Sequence, residues 1–144
     1  MISKSCKYAI RAVLCIASRK SDERMLSITE IAKEIHAPNA FTAKIAQTLA
    51  RHKIITSLKG PYGGFYMEKH QAELPLITVV NAIDGLSVFN ECGLGLSNCS
   101  GKRPCPIHND YKIVRERMFK MFNKITAKNL SQSINKGSTF INNL

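Results

Sequence analysis

Residues 27–67 read SITEIAKEIHAPNAFTAKIAQTLARHKIITSLKGPYGGFYM. The first four, Ser27-Ile28-Thr29-Glu30, have the form of a capping box, with Ser27 as N-cap and Glu30 at the third helical position. A helix then runs to about His36 and buries Ile28, Ile31, Ala32 and Ile35. His36-Ala37-Pro38-Asn39 breaks it. Asn39 is placed to cap a following helix that continues through Arg51, in which Phe41, Ile45, Ala46, Leu49 and Ala50 recur at intervals of three to four. The remaining face carries Thr42, Ala43, Lys44, Gln47 and Arg51, which are small, polar or basic. A short helix, a short turn and a second helix with a polar-basic outer face match a helix-turn-helix.

The segment after it strengthens that reading. Ile54-Ile55-Thr56-Ser57-Leu58 is β-branched and reads as a strand. Lys59-Gly60-Pro61-Tyr62-Gly63-Gly64 is a turn, and Phe65-Tyr66-Met67 is the returning strand. Before the helix pair, residues 3–19 (SKSCKYAIRAVLCIASR) place Tyr8, Ile10, Ala12, Val13, Leu14, Ile16 and Ala17 at helical spacing, predicting a first helix over residues 4–20. Cys15 lies among its core positions as a small hydrophobe, while residues 20–24 form a polar loop. Three helices followed by a hairpin is the order of a winged helix. Its wing tip would hold Lys59 and Tyr62 among the glycines of the turn, so that the backbone could approach DNA closely. An ordinary hairpin packed on the first helix is the competing use, and the basic tip favours the wing.

Composition points to the same partner. The chain has 144 residues, a net charge of +11 and a hydrophobic fraction of 44%. Residues 1–70 hold twelve Lys/Arg against five Asp/Glu, a net +7. A basic domain attracts a polyanion, and nucleic acid is the commonest. The length allows one core-forming domain plus an appendage. No run reaches the roughly 18 apolar residues of a membrane span, and residues 1–20 do not have the form of a signal peptide, so a soluble cytoplasmic protein is expected.

Residues 91–108, ECGLGLSNCSGKRPCPIH, carry the second motif. Cys92, Cys99, Cys105 and His108 follow the spacing C-x6-C-x5-C-x2-H, separated by Gly93, Gly95, Gly101, Pro104 and Pro106. Glycine widens the accessible backbone conformations and proline fixes φ, so this is a loop that can fold three thiolates around one point. Soft thiolates with an imidazole suit zinc or an iron–sulfur cluster. Structural zinc usually takes C-x2-C knuckles; the wider gaps here favour the bulkier cluster. Free cysteines in a mobile loop are the plain alternative, and a disulfide is disfavoured in the reducing cytosol.

With these motifs in order, the sequence resembles the IscR/NsrR-type winged-helix transcription regulators, its closest likeness being to the IscR branch. SKSCKYAIRAVLCIA, IITSLKGPYGGFYM, VVNAIDG and the cysteine loop all occur in the family's order. The resemblance implies a homodimer in which a long helix after the cysteine loop crosses to the partner. It also implies a cluster held by Cys92, Cys99, Cys105 and a fourth ligand. Nitric-oxide sensors of the family take a carboxylate near the start of the first helix as that ligand; Lys7 stands there and has no lone pair to give. The resemblance to the IscR branch then implies His108 as the fourth ligand, with Cys6 or Glu91 as outsiders. The resemblance favours 2Fe–2S, with 4Fe–4S second. The wing departs from the family pattern in Lys59, where arginine is common, and in Tyr62, where glycine is common. Lysine cannot form arginine's bidentate fork.

Beyond the wing, residues 77–84 predict a short helix closed by Gly85. Residues 106–128 predict one long helix, with a stripe of Ile113, Val114, Met118, Met121, Phe122 and Ile125 that a second copy would cover. Residues beyond Lys136 should fray.

The fold expected is therefore mainly α with a small β-hairpin. A winged helix-turn-helix spans residues 1–74; the cluster-binding loop (91–108), dimerisation helix and flexible tail span 75–144. The function expected is a regulator that binds a double-stranded DNA operator as a homodimer, through Asn39, Thr42, Lys44, Lys59, Gly60, Tyr62 and Gly63, under control of the cluster. No membrane contact, small-molecule substrate or enzymatic activity is expected. Rival classes are an enzyme using Cys105 and His108 as nucleophile and base, and a cysteine-redox or zinc-stabilised protein without a cluster.

Overall fold

Helix α1 (Lys4–Ala17) sits at the centre of the molecule, packed against the helix pair α2 (Ile28–Ile35) and α3 (Asn39–Arg51) on one side and against α5 (Ile77–Ile83) and α7 (Ala127–Asn135) on the others. The computed structural model describes residues 1–19 and 25–141; the loop expected at 20–24 lies outside the described residues. The remaining elements are the strands β1 (Thr56–Leu58) and β2 (Gly64–Tyr66), a single turn α4 (Lys69–Ala72), a 3-10 turn (Leu86–Phe89) and α6 (His108–Lys124). The architecture is mainly α with one antiparallel hairpin, the winged helix expected.

Ser3 starts α1 by accepting the Cys6 amide hydrogen bond at 3.0 Å, which satisfies one of the orphan N–H groups of a helix start. The helix is covered on most sides because its inward positions are small: Ala9, Ala12, Cys6 and Cys15 are all buried. It ends at Ala17, three residues earlier than the apolar pattern implied. The capping box of α2 is formed, with Ser27 Oγ accepting from the Glu30 amide at 3.2 Å and Glu30 Oε2 accepting from the Ser27 amide at 2.8 Å. His36 closes α2 in the left-handed region, φ 53°, while the Ala37 amide reaches back to Ala32 O at 3.0 Å. That six-to-one bond is a Schellman ending. Helix α3 repeats the device: Lys53 has φ 58° and the Ile54 amide donates to Leu49 O at 3.0 Å. Burial of Ile31, Ile35 and Leu49 between the helices contributes about 1.5–3 kcal/mol each.

Several expectations need correction. Asn39 is not the cap of α3; Pro38 holds that position without a side-chain bond, and the Asn39 amide group donates to Thr29 Oγ1 instead. Ile54 and Ile55 are core residues that precede the wing rather than strand residues. The hairpin pairs Thr56 with Tyr66, Ser57 with Phe65 and Leu58 with Gly64. Leu26 adds a single-residue third strand, exchanging bonds of 3.0 and 2.8 Å with Phe65. Gly85 does follow α5 with positive φ, 76°.

The long helix ends at Lys124, because Ile125 turns to extended backbone (ψ 142°) and Thr126 caps a new helix, α7, by accepting from the Asn129 amide at 3.2 Å. The Leu76 amide donates to Ile125 O at 2.9 Å and pins this corner to the start of α5. Helix α7 then returns to α1 and extends to Asn135. The expected apolar stripe splits accordingly. Phe122 is buried within its own chain, against Phe89 at 6.2 Å between ring centroids. Ile113, Val114, Phe119 and Met121 face solvent.

Gln71, which no sequence pattern singled out, ties the wing to α3. Its Oε1 accepts from the Glu68 amide at 2.8 Å and from Thr56 Oγ1 at 3.1 Å, and its Nε2 donates to Lys53 O at 3.0 Å. Gln71→Ala would remove the bonds of this buried amide and leave three part-buried partners unpaired, at a cost of about 1–3 kcal/mol. Urea unfolding should show that loss as a lower midpoint at constant m-value; a loss below about 0.5 kcal/mol would mean water replaces the amide.

Candidate metal centre and nucleic-acid interface

The cysteine loop lies between the 3-10 turn and α6, and α6 fixes it. Gly93 packs against the Tyr111 ring so closely that a Cβ there would meet ring carbons at 2.9 Å. Arg115 lies over the other side of the same contact, 5.6 Å from the Tyr111 centroid, and its guanidinium donates to Glu91 O. Phe89, just before the loop, is held edge-on by Phe119 at 5.3 Å. Tyr111 and Arg115 were not identified from sequence; a tyrosine facing a loop glycine has no local signature.

Within the loop, backbone turns bring the three thiols together. The Sγ atoms of Cys92, Cys99 and Cys105 all lie within 4.8 Å of one another. Cys92 and Cys105 are 3.6 Å apart, and the Cys105 amide donates to Cys99 Sγ at 3.4 Å. His108 opens α6 and brings its Nδ1 to 3.1 Å from Cys99 Sγ. The imidazole therefore meets Cys99 rather than Cys105, the partner expected for it in the nucleophile–base reading. Cys6 is fully buried in the first turn of α1 and is absent from the thiol group; burial, reinforced by Asp84, pushes its thiol up to about 12. Burial does the same for Cys15, to about 11.

The loop thiols are poised differently. Amide hydrogen bonds from Leu96 and Leu94 hold Cys92 down to about 7, since a donated hydrogen bond favours the thiolate. Burial and the neighbouring sulfurs raise Cys105. Three sulfurs and one imidazole nitrogen are a donor set for a thiophilic metal. A zinc–sulfur bond of about 2.3 Å puts tetrahedral sulfurs about 3.8 Å apart, so the trio could close on one ion with little movement. Gly95 and Gly101, which have open space around them, are where the loop would yield to a larger group; Gly95 already has φ 70°.

The exposed face of α3 carries basic and polar side chains. Asn39, Ala40, Lys44, Gln47 and Arg51 are exposed along α3. Thr42, expected on that face, is completely buried, and its hydroxyl donates to Pro38 O at 3.0 Å. It cannot reach a groove without breaking the packing of α3 on α1; Gln47 takes its place on the outer face. Lys59, Gly60 and Tyr62 are exposed at the wing tip. Gly63 is less so, and any Cβ on it would lie 2.0 Å from Leu58 O.

Fold and loop together define a winged-helix transcription regulator whose three clustered cysteines could bind a metal. The sequence profile of Rrf2, described as an iron-dependent transcriptional regulator, matches residues 2–133, and the chain belongs to that family. It is 26% identical over 132 residues to a chain of Aquifex aeolicus (strain VF5) named as an HTH-type transcriptional regulator, covering 90% of each. It is 25% identical over 124 residues to the HTH-type transcriptional regulator IscR of Serratia proteamaculans (strain 568), covering 86% of this chain and 74% of that one. In fold it matches CymR, the global cysteine regulator of B. subtilis, with a TM-score of 0.73 at 14% identity over 92% of this chain and 96% of that one. It matches T. potens IscR with a TM-score of 0.71 at 12% identity over 96% and 91%. Among the described residues no helix is long and apolar enough to cross a membrane.

The thiol environments predict a labelling order. In metal-free native protein at pH 7, iodoacetamide should modify Cys92 and Cys99 first, Cys105 more slowly, and leave Cys6 and Cys15 unmodified until denaturant is added. Peptide mass spectrometry would read this; modification of Cys6 as fast as Cys92 would contradict its place in the core.

Proposed function

We propose that this regulator binds a double-stranded DNA operator as a homodimer in the cytoplasm, and that an iron–sulfur cluster held by Cys92, Cys99, Cys105 and His108 sets its affinity. The observation that carries the reading is the convergence of three sulfurs within 4.8 Å, with His108 Nδ1 3.1 Å from one of them. A 2Fe–2S cluster is preferred and 4Fe–4S comes second. Support comes from the family's description as iron-dependent and from relatives named IscR. The compact span of the sulfurs is the specific observation that favours the second reading, a single zinc ion.

A bound cluster would supply a cross-link that depends on iron supply and oxidation state. The chain's own residues then transmit its presence. Tyr111 and Arg115 dock the loop on α6 through Gly93 and Glu91 O. Phe89 joins the loop to Phe119 and Phe122 of that helix. A fixed loop thus fixes α6, and a fixed α6 sets the separation of two α3 helices across successive major grooves. On each α3, Asn39, Lys44, Gln47 and Arg51 would face the DNA, with Lys59 at the wing adding a phosphate contact.

Purification without oxygen tests the centre. The protein should be coloured, with visible absorption that is lost on Cys92→Ser, Cys99→Ser or Cys105→Ser and altered on His108→Ala. A colourless protein containing one equivalent of zinc would establish the second reading instead.

The seam is tested on α6. Val114 is 54% exposed and apolar, with Ile113 and Met121 beside it, and a second copy is the proposed cover. Val114→Glu would place a carboxylate in that seam and should give monomers by sedimentation, whereas Phe122→Glu would damage the subunit's own core. A dimer that persists in Val114→Glu would place the seam elsewhere.

A further inference from the structure

The wing carries a side chain that the fold does not use. Tyr62 is 93% exposed, and among the described residues neither its ring nor its hydroxyl has a partner. A single exposed aromatic means little by itself, but this one is mounted on a rigid tip. Gly60, Pro61, Tyr62 and Gly63 form a β-turn closed by the Gly63 amide donating to Gly60 O at 3.0 Å. Gly60 takes φ 113°, which favours glycine. Proline fixes the next φ. Gly63 is pressed against Leu58 O and Gly64 against Leu26 O, with no room for a Cβ at either place. Cross-strand pairing of Leu58 with Gly64 sits directly below. The turn therefore points the ring outward and cannot fold back to bury it.

Its neighbours are those of a polyanion-facing edge. Lys59 adjoins the turn, and Leu58, about half exposed, continues the apolar surface beneath it. Both lie beyond the exposed basic face of α3. B-DNA's minor groove is about 6 Å wide, wide enough for one ring presented edge-first from the wing tip. Apolar side chains that enter this groove wedge between base steps, and pyrimidine–purine steps yield most easily.

We propose that the Tyr62 ring inserts into the DNA minor groove beside the major groove occupied by α3, and that it selects operators with a deformable pyrimidine–purine step at that place. This rests on the DNA-binding reading above and assigns it a specificity-determining residue. The contact is made by the ring, so its energy is not electrostatic, in contrast to that of Lys59.

The test uses the anaerobically purified full-length protein and duplexes that the wild type itself selects from a random pool. Tyr62→Gly should weaken binding about tenfold or more while leaving thermal stability and the slope of log K against log salt unchanged. Lys59→Ala should lower that slope by about one, and Tyr62→Phe should bind as the wild type does. The chain contains no tryptophan, so Tyr62→Trp introduces a sole indole, whose emission should be quenched and shielded from acrylamide when duplex is added. Replacing the pyrimidine–purine step should weaken the wild type but not Tyr62→Gly. Unchanged affinity in Tyr62→Gly, or an indole that stays open to acrylamide in the complex, would overturn the insertion. Loss of binding in Tyr62→Phe equal to that in Tyr62→Gly would overturn it too, in favour of a hydroxyl–phosphate bond. If the wild type and Lys59→Ala both lack salt-dependent binding to every duplex, the DNA-binding reading itself fails, and the insertion with it.

Discussion

The burial of α1 on nearly every side is the constraint from which the architecture follows. Cys6, Ala9, Ala12, Val13, Leu14, Cys15 and Ile16 are all inside, so no single partner can cover the helix. The α2–α3 pair takes one side and α5 and α7 take others. Side-chain size permits this: alanine and cysteine let neighbouring helices come close, and close-packed interiors leave little tolerance for an added methylene. A larger residue at Ala9 or Ala12 would displace several elements at once. The two cysteines serve here as small apolar residues, with burial keeping their thiols protonated.

The helix-turn-helix and its wing are also the part most legible in the sequence, because their signals are local. The Ser27–Glu30 box, the three- and four-residue spacing along α3 and the glycines of the wing each act within a few residues. Legibility fails where a residue can serve two environments. Thr42 looks polar, yet its hydroxyl is satisfied by the carbonyl four residues back, which lets it enter the core. Ile54 and Ile55 look like strand because β-branched residues suit strands, but they cap the Schellman end of α3 from within. The break before α7 depends on a threonine cap and on a bond to Leu76; the second partner is some fifty residues away and leaves no periodic trace. In the loop, the ligand candidates were visible as residue types, whereas their support by Tyr111 and Arg115 is purely tertiary.

The loop and the winged helix are joined by short covalent and polar links. Asp84, at the end of α5, accepts hydrogen bonds from the Ser3 amide at 2.7 Å and from its hydroxyl. Ser3 in turn caps α1, so one carboxylate holds the start of the central helix to the segment leading into the 3-10 turn and Cys92. The loop side of that segment is anchored to α6 by Phe89. Motion at the thiols is therefore resisted from both sides by packed rings and charge-assisted bonds, which are stronger than neutral ones.

The contact of α7 with α1 has a consequence for biosynthesis. More than a hundred residues separate the two helices. At translation speeds of about 5–20 residues per second, α1 leaves the ribosome ~5–20 s before the helix that completes its cover. Throughout that interval the side of α1 that α7 will cover is open to other nascent chains and to chaperones. A long-range closure of this kind is also slow to form, because ordering the intervening chain precedes its reward. The side of the central helix that is covered last is thus the most vulnerable one while the protein is being made.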